Sequence, residues 1–163
     1  MDKKADQRVL VDLLRRSCTD GADRKGWDAA DFLHEYGSAR AALVHAALFM
    51  PRFIKIEGEV FFEDLGVRPQ GGLDDWAERV RQLKAQSPEA LALFVNSCNW
   101  LELPYLFRGS SGTEQAYRLL AHLLAEAWST RLRSLFPDRT FRVRVIEAEE
   151  TGSVTGIGFE KST

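Results

Sequence analysis

Residues 53–62 read FIKIEGEVFF, and this stretch indicates that the fold contains β-structure as well as helices. Two halves rich in aromatic and β-branched residues, Phe53–Ile56 and Glu59–Phe62, flank the dipeptide Glu57-Gly58. Such halves around a glycine-containing dipeptide are typical of a β-hairpin closed by a tight turn. The stretch therefore predicts a first hairpin.

Helical spacing of apolar residues dominates much of the remaining sequence. Asp28, Ser38 and Ser87 are predicted N-caps, because their side-chain oxygens can accept from free backbone N–H groups. Gly37 is expected in the left-handed conformation that ends a helix. The helix that follows it is apolar nearly all round and is predicted to be the central buried element. The predicted helices are about Ala5–Ser17, Ala29–Tyr36, Ala39–Met50, Asp74–Gln86, Pro88–Trp100 and Thr113–Leu135.

A second hairpin is predicted near the end of the sequence. Apolar and polar residues alternate over Phe141–Ala148, as in a half-buried strand, and Val154–Glu160 returns after a turn at Glu149–Ser153. The predicted fold is α+β, with five or six helices packed on a small antiparallel sheet made from the two hairpins. Residues 1–163 are expected to form one domain, with a candidate hinge at the glycine-containing segment 66–72.

Composition narrows the class of protein. The 163 residues include 45% apolar and 28% charged residues, which is typical of a globular protein. With 22 basic and 24 acidic residues the net charge is −2, which argues against a dedicated nucleic-acid binder. The longest apolar run, Ala41–Met50, is shorter than the roughly 20 residues that span a bilayer. Because Cys18 and Cys98 form no CxxC pair and no signal-peptide pattern precedes them, we expect a cytoplasmic protein.

The sequence contains no recognisable motif for catalysis, metal binding or cofactor binding. The loop Gly109–Gly112 precedes a helix but lacks the lysine of a phosphate-binding loop. His34, His45 and His122 are not spaced as metal ligands, and no GxSxG nucleophile motif occurs. The sequence therefore predicts no catalytic residue, no metal site and no cofactor, and it favours a protein that is not an enzyme.

One set of polar residues supports a small-molecule reading, which we keep as the alternative. Asn96, Asn99 and Glu102 recur every three residues and would share one side of a helix that extends past Trp100. His45 interrupts the apolar run AALVHAALF, where a buried imidazole needs a hydrogen-bond partner. Together they could line a polar pocket between sheet and helices, in a ligand-binding protein or an enzyme. A solvated helix face and a satisfied core histidine explain the same residues.

A second set favours a protein-interaction module, such as an inhibitor, immunity or adaptor protein. Trp100, Tyr105 and Phe107 crowd around Pro104 in NWLELPYLF, a segment too apolar for an ordinary exposed loop. Arg142 and Arg144 alternate with apolar residues and should project together from the polar face of a strand. The aromatic residues would anchor a partner protein and the arginines would orient it. A homodimer could use the same surface, whereas nucleic acid and membrane are not expected partners.

Overall fold

A computed structural model of the protein describes residues 11–12, 14–16, 24, 26–65, 72–107, 113–148 and 154–162. Contacts along the chain divide it into two units, Met1–His45 and Ala46–Thr163. Helices and antiparallel strands are both present, so the predicted α+β class is confirmed. Most of the candidate hinge, residues 66–71, lies outside the described residues, and both the hinge and the single-domain organisation stay predictions.

The first unit holds helical residues at 11–12 and 14–16 and the helix α1, Ala29–Tyr36. Asp28 caps α1 as predicted, since its Oδ1 accepts from the N–H groups of Ala30 at 2.8 Å and Asp31 at 3.1 Å. The left-handed conformation predicted for Gly37 is wrong: its φ is −75° and its ψ is 149°. Its N–H still bonds to the Leu33 carbonyl, after which the backbone runs extended into the next N-cap.

Helix α2, Ala39–Phe49, begins at the predicted cap, where Ser38 Oγ accepts from the N–H of Ala41 at 3.0 Å. The expectation that this helix is the central buried element is wrong. Within α2 only Leu48 is buried, and the side chains of Leu43 and Val44 are 75% and 64% exposed. A helix that is apolar on all sides is buried only where other elements surround it, and most side chains of α2 are not enclosed in this way.

That hairpin consists of β1, Phe53–Ile56, and β2, Glu59–Phe62, in the predicted antiparallel pairing. Its two turn residues, Glu57 and Gly58, have φ values of 50° and 89°. Two successive positive φ values define the hairpin turn whose twist matches that of the flanking strands. The prediction of a tight turn at Glu57-Gly58 is therefore confirmed.

Both faces of β2 are covered. Phe61 packs with Trp76 and Val95 of two helices, α3 (Leu73–Gln86) and α4 (Pro88–Cys98). Phe62 packs on the opposite side with Trp128, which belongs to the long helix that follows. The two-stranded hairpin is thus an internal layer with a hydrophobic cluster on each side.

A second, three-stranded sheet contains β3, Trp100–Glu102, β4, Phe141–Ile146, and β5, Gly156–Lys161. The strand order is β3-β5-β4, and all neighbours are antiparallel. The pairing of β4 with β5 confirms the two strands of the second hairpin, whose predicted turn at Glu149–Ser153 lies outside the described residues. The two hairpins lie in separate sheets. Extension of the preceding helix to Trp100 is wrong, because α4 ends at Cys98 and residues 100–102 pair with β5 instead.

Two further helices lie in the described part of the second unit: the short α5, Leu103–Leu106, and the long α6, Glu114–Leu135. The N-cap of α6 is Thr113, whose Oγ1 accepts from the N–H of Ala116 at 3.2 Å. In the middle of α6 the fully buried Trp128 donates its indole N–H to the Leu48 carbonyl at 2.6 Å. This hydrogen bond satisfies a polar group inside the core and ties α6 to the end of α2.

Candidate functional site

The outer face of the three-stranded sheet brings together predicted residues from distant parts of the sequence. Trp100 on β3 and Arg144 on β4 both pair with Gly158 on β5, one from each side. Residues directly opposite each other in an antiparallel sheet project to the same face. Because Gly158 has no side chain, the indole of Trp100 can extend over β5 towards β4.

A surface cleft of about 270 Å³ borders this row. Beside Trp100, Arg144 and Gly158 it is lined by Asn96, Ser97, Ile146, Phe159 and Glu160. We call this set of residues the sheet cleft. The lining combines an aromatic wall, a cation, a carboxylate and an amide, which is a suitable surface for the side chain of another protein.

The indole of Trp100 lies against β5 at two positions where this strand has glycine. A Cβ atom on Gly156 would lie 2.0 Å from Cζ2 of the indole, and one on Gly158 would lie 3.0 Å from Cε3. The ring therefore lies directly against the β5 backbone, and Trp100 remains half-exposed. Gly156 thus leaves room for the indole, whereas a Cβ atom on Gly158 would first meet the Asn99 carbonyl oxygen, at 2.6 Å.

Positive charge on this face lies along β4, whereas the carboxylates of Glu102 and Glu160 belong to β3 and β5. Arg142 and Arg144 alternate with less exposed neighbours and are themselves exposed, which agrees with the alternation in the sequence. Glu160 lies opposite Arg142 in the register, and its Oε2 is 3.6 Å from Nη1 of Arg144. One carboxylate thus faces two guanidinium groups, which leaves an excess of positive charge along β4.

The four residues of the small-molecule alternative have different surroundings. Asn99 is fully buried, and its amide bonds to the edge of β2: Oδ1 accepts from the N–H of Phe62 at 3.2 Å, and Nδ2 donates to the Val60 carbonyl at 2.8 Å. Asn96 is exposed in the sheet cleft, and Glu102 lies in β3. Their predicted common helix face is wrong because α4 ends at Cys98.

His45 is also placed differently from the expectation. It belongs to the first unit and its side chain is exposed, whereas the sequence predicted an imidazole buried in an apolar helix. The correction follows from the exposure of α2 itself, since the apolar residues around His45 do not enclose it.

The aromatic segment after Trp100 is divided between core and surface. Leu103 is fully buried, while the Tyr105 side chain is 61% exposed. Phe107 is half-buried against the core, with its ring centroid 6.4 Å from that of Tyr117. Among the predicted partner-binding residues, Tyr105, Arg142 and Arg144 are therefore exposed, and Trp100 and Phe107 are half-exposed.

Sequence reasoning missed Gly156, Gly158, Ser97, Ile146 and Glu160 as parts of this surface. The alternation of glycines in GIGF was a signal that a bulky side chain lies against the strand. That signal could not be used without knowing that Trp100 belongs to a neighbouring strand.

A second cleft, of about 440 Å³, lies between the first hairpin and the start of α3. Its walls include Ile54 and Trp76, and Arg52 and Asp64 lie at its polar side. Arg52 binds Asp64 through two hydrogen bonds of 2.6 and 2.8 Å, and this pairing raises the pKa of the Arg52 guanidinium. None of His45, Asn96, Asn99 and Glu102 lines this cleft.

The described residues offer little for metal or nucleophilic chemistry. No group of three His, Cys, Asp or Glu side chains among them is placed to hold a metal ion. Cys98 is buried, and its burial raises the pKa of the thiol, which opposes formation of a reactive thiolate. No helix in the described part of the chain is long and apolar enough to cross a membrane.

Comparison with known proteins supplies no family. No protein-family model matches the chain, and no curated protein or solved structure matches it. The function is therefore inferred from the residues of this chain, beginning with the sheet cleft.

Proposed function

We propose that the protein is a non-catalytic protein-interaction module of the inhibitor, immunity or adaptor type. The observation that carries the proposal is the position of Trp100 and Arg144 on the two sides of one cleft. Trp and Arg are among the residue types that contribute most to protein–protein binding energy. Trp100 belongs to the aromatic segment around Pro104, and Arg144 belongs to the basic strand. The sequence suggested partner binding for each of these two features separately.

The sheet cleft accepts one side chain of the partner against the indole of Trp100. Arg142 and Arg144 orient an acidic surface of that partner and increase its rate of association. Tyr105 and Phe107 extend the apolar contact where the partner reaches them. The partner is a protein rather than a nucleic acid or a membrane, and the cytoplasm is the proposed location because it suits a reduced Cys98.

The test is a pull-down from lysate of the source organism with three forms of the protein. Wild type is compared with Arg144→Glu, which reverses the charge at the cleft, and with Arg79→Glu. Arg79 is an exposed arginine on α3 and provides the matched control. One specific protein retained by wild type and the control but lost with Arg144→Glu supports the proposal. Retention of the same proteins by all three forms contradicts it, and a second copy of this chain as the retained protein identifies a homodimer.

The larger cleft favours a second candidate function, the binding of a small molecule. Its volume of about 440 Å³ falls within the range of ligand pockets, and its walls are apolar with the Arg52–Asp64 pair at one side. A thermal-shift screen of metabolites tests this candidate. A compound that raises the Tm of wild type but not of Arg52→Ala supports it, and a screen without such a compound removes it.

A further inference from the structure

We infer that β4 binds its partner by strand addition, and that the segment it takes alternates acidic with apolar residues. The inference rests on the proposed function and specifies how the partner is recognised. It depends on the free edge of β4, on the side chains that border this edge, and on their charge.

The hydrogen-bond pattern shows which groups of β4 remain available. The N–H of Ser162 donates to the Thr140 carbonyl at 2.9 Å, so this pair is hydrogen-bonded and every second pair along β4 and β5 is too. The backbone groups of Arg142, Arg144 and Ile146 therefore point towards β5. Those of Phe141, Val143 and Val145 point away from it, and within the described residues they have no hydrogen-bond partner.

The length of β4 suits a strand-forming peptide. Its six residues extend over roughly 20 Å, and β4 is an outer strand of its sheet. Unpaired backbone groups along an outer strand are a template on which an extended segment can form main-chain hydrogen bonds.

Side chains on the two faces of β4 define the sequence of that segment. Residues of an added antiparallel strand that lie opposite Arg142 and Arg144 project to the outer face, where acidic side chains pair with the arginines. Residues opposite Val143 and Val145 project to the other face, beside the apolar row that packs against the core. A segment such as Glu-Val-Glu-Val therefore matches both faces.

The same geometry disfavours a second copy of β4 as the occupant. In an antiparallel pair centred on Val143, Arg142 of each copy would lie opposite Arg144 of the other. All four guanidinium groups would then share one face, and like charges placed directly opposite each other destabilise a strand pair. The partner segment is accordingly a different, acidic one.

The probe is a blocked seven-residue peptide in which Glu and Val alternate, added to the full-length protein labelled with ¹⁵N. We expect the amide protons of Val143 and Val145 to shift and to exchange more slowly with solvent when the peptide binds. We expect the peptide with Lys in place of Glu, or the protein variant Arg144→Glu, to weaken binding at least about tenfold.

Backbone methylation tests the geometry without any change to the protein. In the bound peptide the N–H groups of the Val residues face β4, and those of the Glu residues face away. Methylation of the Val amides should therefore abolish binding, whereas methylation of the Glu amides should preserve it. Equal binding of the two methylated peptides, no binding of the parent peptide, or equal binding of the Lys peptide would overturn strand addition.

The pull-down and the peptide experiment distinguish a failure of the proposed function from a failure of strand addition. If a partner is captured through Arg144 in the pull-down but the Glu/Val peptide does not bind, the interaction function stands and the strand-addition mode is wrong. If the peptide binds in the expected manner but no cellular partner is captured, β4 keeps its binding capacity and the proposed function is contradicted.

Discussion

The indole of Trp100 lies so close to Gly156 that a Cβ atom on this glycine would stand 2.0 Å from Cζ2. The two residues belong to neighbouring strands, and the indole lies against the backbone of β5. The sheet cleft depends on this arrangement, because a displaced indole would no longer form its aromatic wall.

Gly156→Ala should lower the free energy of unfolding by about 1–3 kcal/mol, since the added methyl group forces the indole or the strand to move. In a Trp100→Ala background the same change should cost clearly less, because the clashing atoms are gone. Urea denaturation of the single and double variants measures the difference. Gly26→Ala is the matched control, since a Cβ atom there meets no heavy atom within 4 Å. Equal costs in both backgrounds would show that Trp100 does not cause the constraint.

Asn99→Ala should be among the most destabilising substitutions in the second unit, at about 2–5 kcal/mol. It would leave the N–H of Phe62 and the carbonyl of Val60 buried without their present partners. Asn96→Ala is the control, because Asn96 is exposed three residues earlier, and a change within about 0.5 kcal/mol is expected. Similar costs for both variants in urea denaturation would contradict the structural role of the Asn99 amide.

Glu57→Asn should stabilise the protein by about 0.5–1 kcal/mol. Glu57 has a φ of 50°, a left-handed conformation that asparagine adopts more readily than glutamate. Glu57→Ala is the control: like asparagine it removes the carboxylate that lies 3.5 Å from Nε of Arg81, but it keeps the backbone penalty. The Tm of Glu57→Asn should therefore be higher than the Tm of Glu57→Ala, and the reverse order would refute the explanation.

The Cys98 thiol should make stability depend on pH in the alkaline range. Burial raises its pKa in the folded protein above the value near 8.5 of a free thiol. The folded state then holds the proton more tightly, so this contribution to stability is present below the unfolded pKa and is lost as pH rises. Urea denaturation in a Cys18→Ser background measures the free energy of unfolding with Cys98 and with Cys98→Ala. The amount by which Cys98 exceeds Cys98→Ala should shrink between pH 7 and pH 10. A constant difference would mean that the thiol does not titrate differently on unfolding.

The helix caps, the hairpin turn and the exposed face of β4 were predicted from residues that are adjacent in the sequence. Asp28 and Ser87 cap helices because the required side-chain oxygens stand next to the free N–H groups in sequence. The Glu57-Gly58 turn is likewise determined by adjacent residues. The alternation of Arg142 and Arg144 with apolar neighbours was sufficient to place both on one exposed face.

Features that depend on distant partners were missed. Residues 100–102 continue a helical pattern in the sequence. They nevertheless form a strand, because they pair with β5, which lies more than fifty residues later in the chain. The exposure of α2 also depends on which element occupies the core, and its own apolar composition could not reveal that. The sheet cleft combines residues of α4 and three strands, so its existence was beyond any single stretch of sequence.

The covering of β2 on both faces has a consequence for strand alignment. Phe61 and Phe62 are neighbours of equal size that fill opposite hydrophobic clusters. A slip by one residue would exchange them between the clusters, and side-chain volume alone would hardly distinguish the two alignments. Asn99 does distinguish them, because its amide needs an acceptor at residue 60 and a donor at residue 62. This side chain thereby adds to the Glu57-Gly58 turn in holding an alignment that the volumes of Phe61 and Phe62 do not specify.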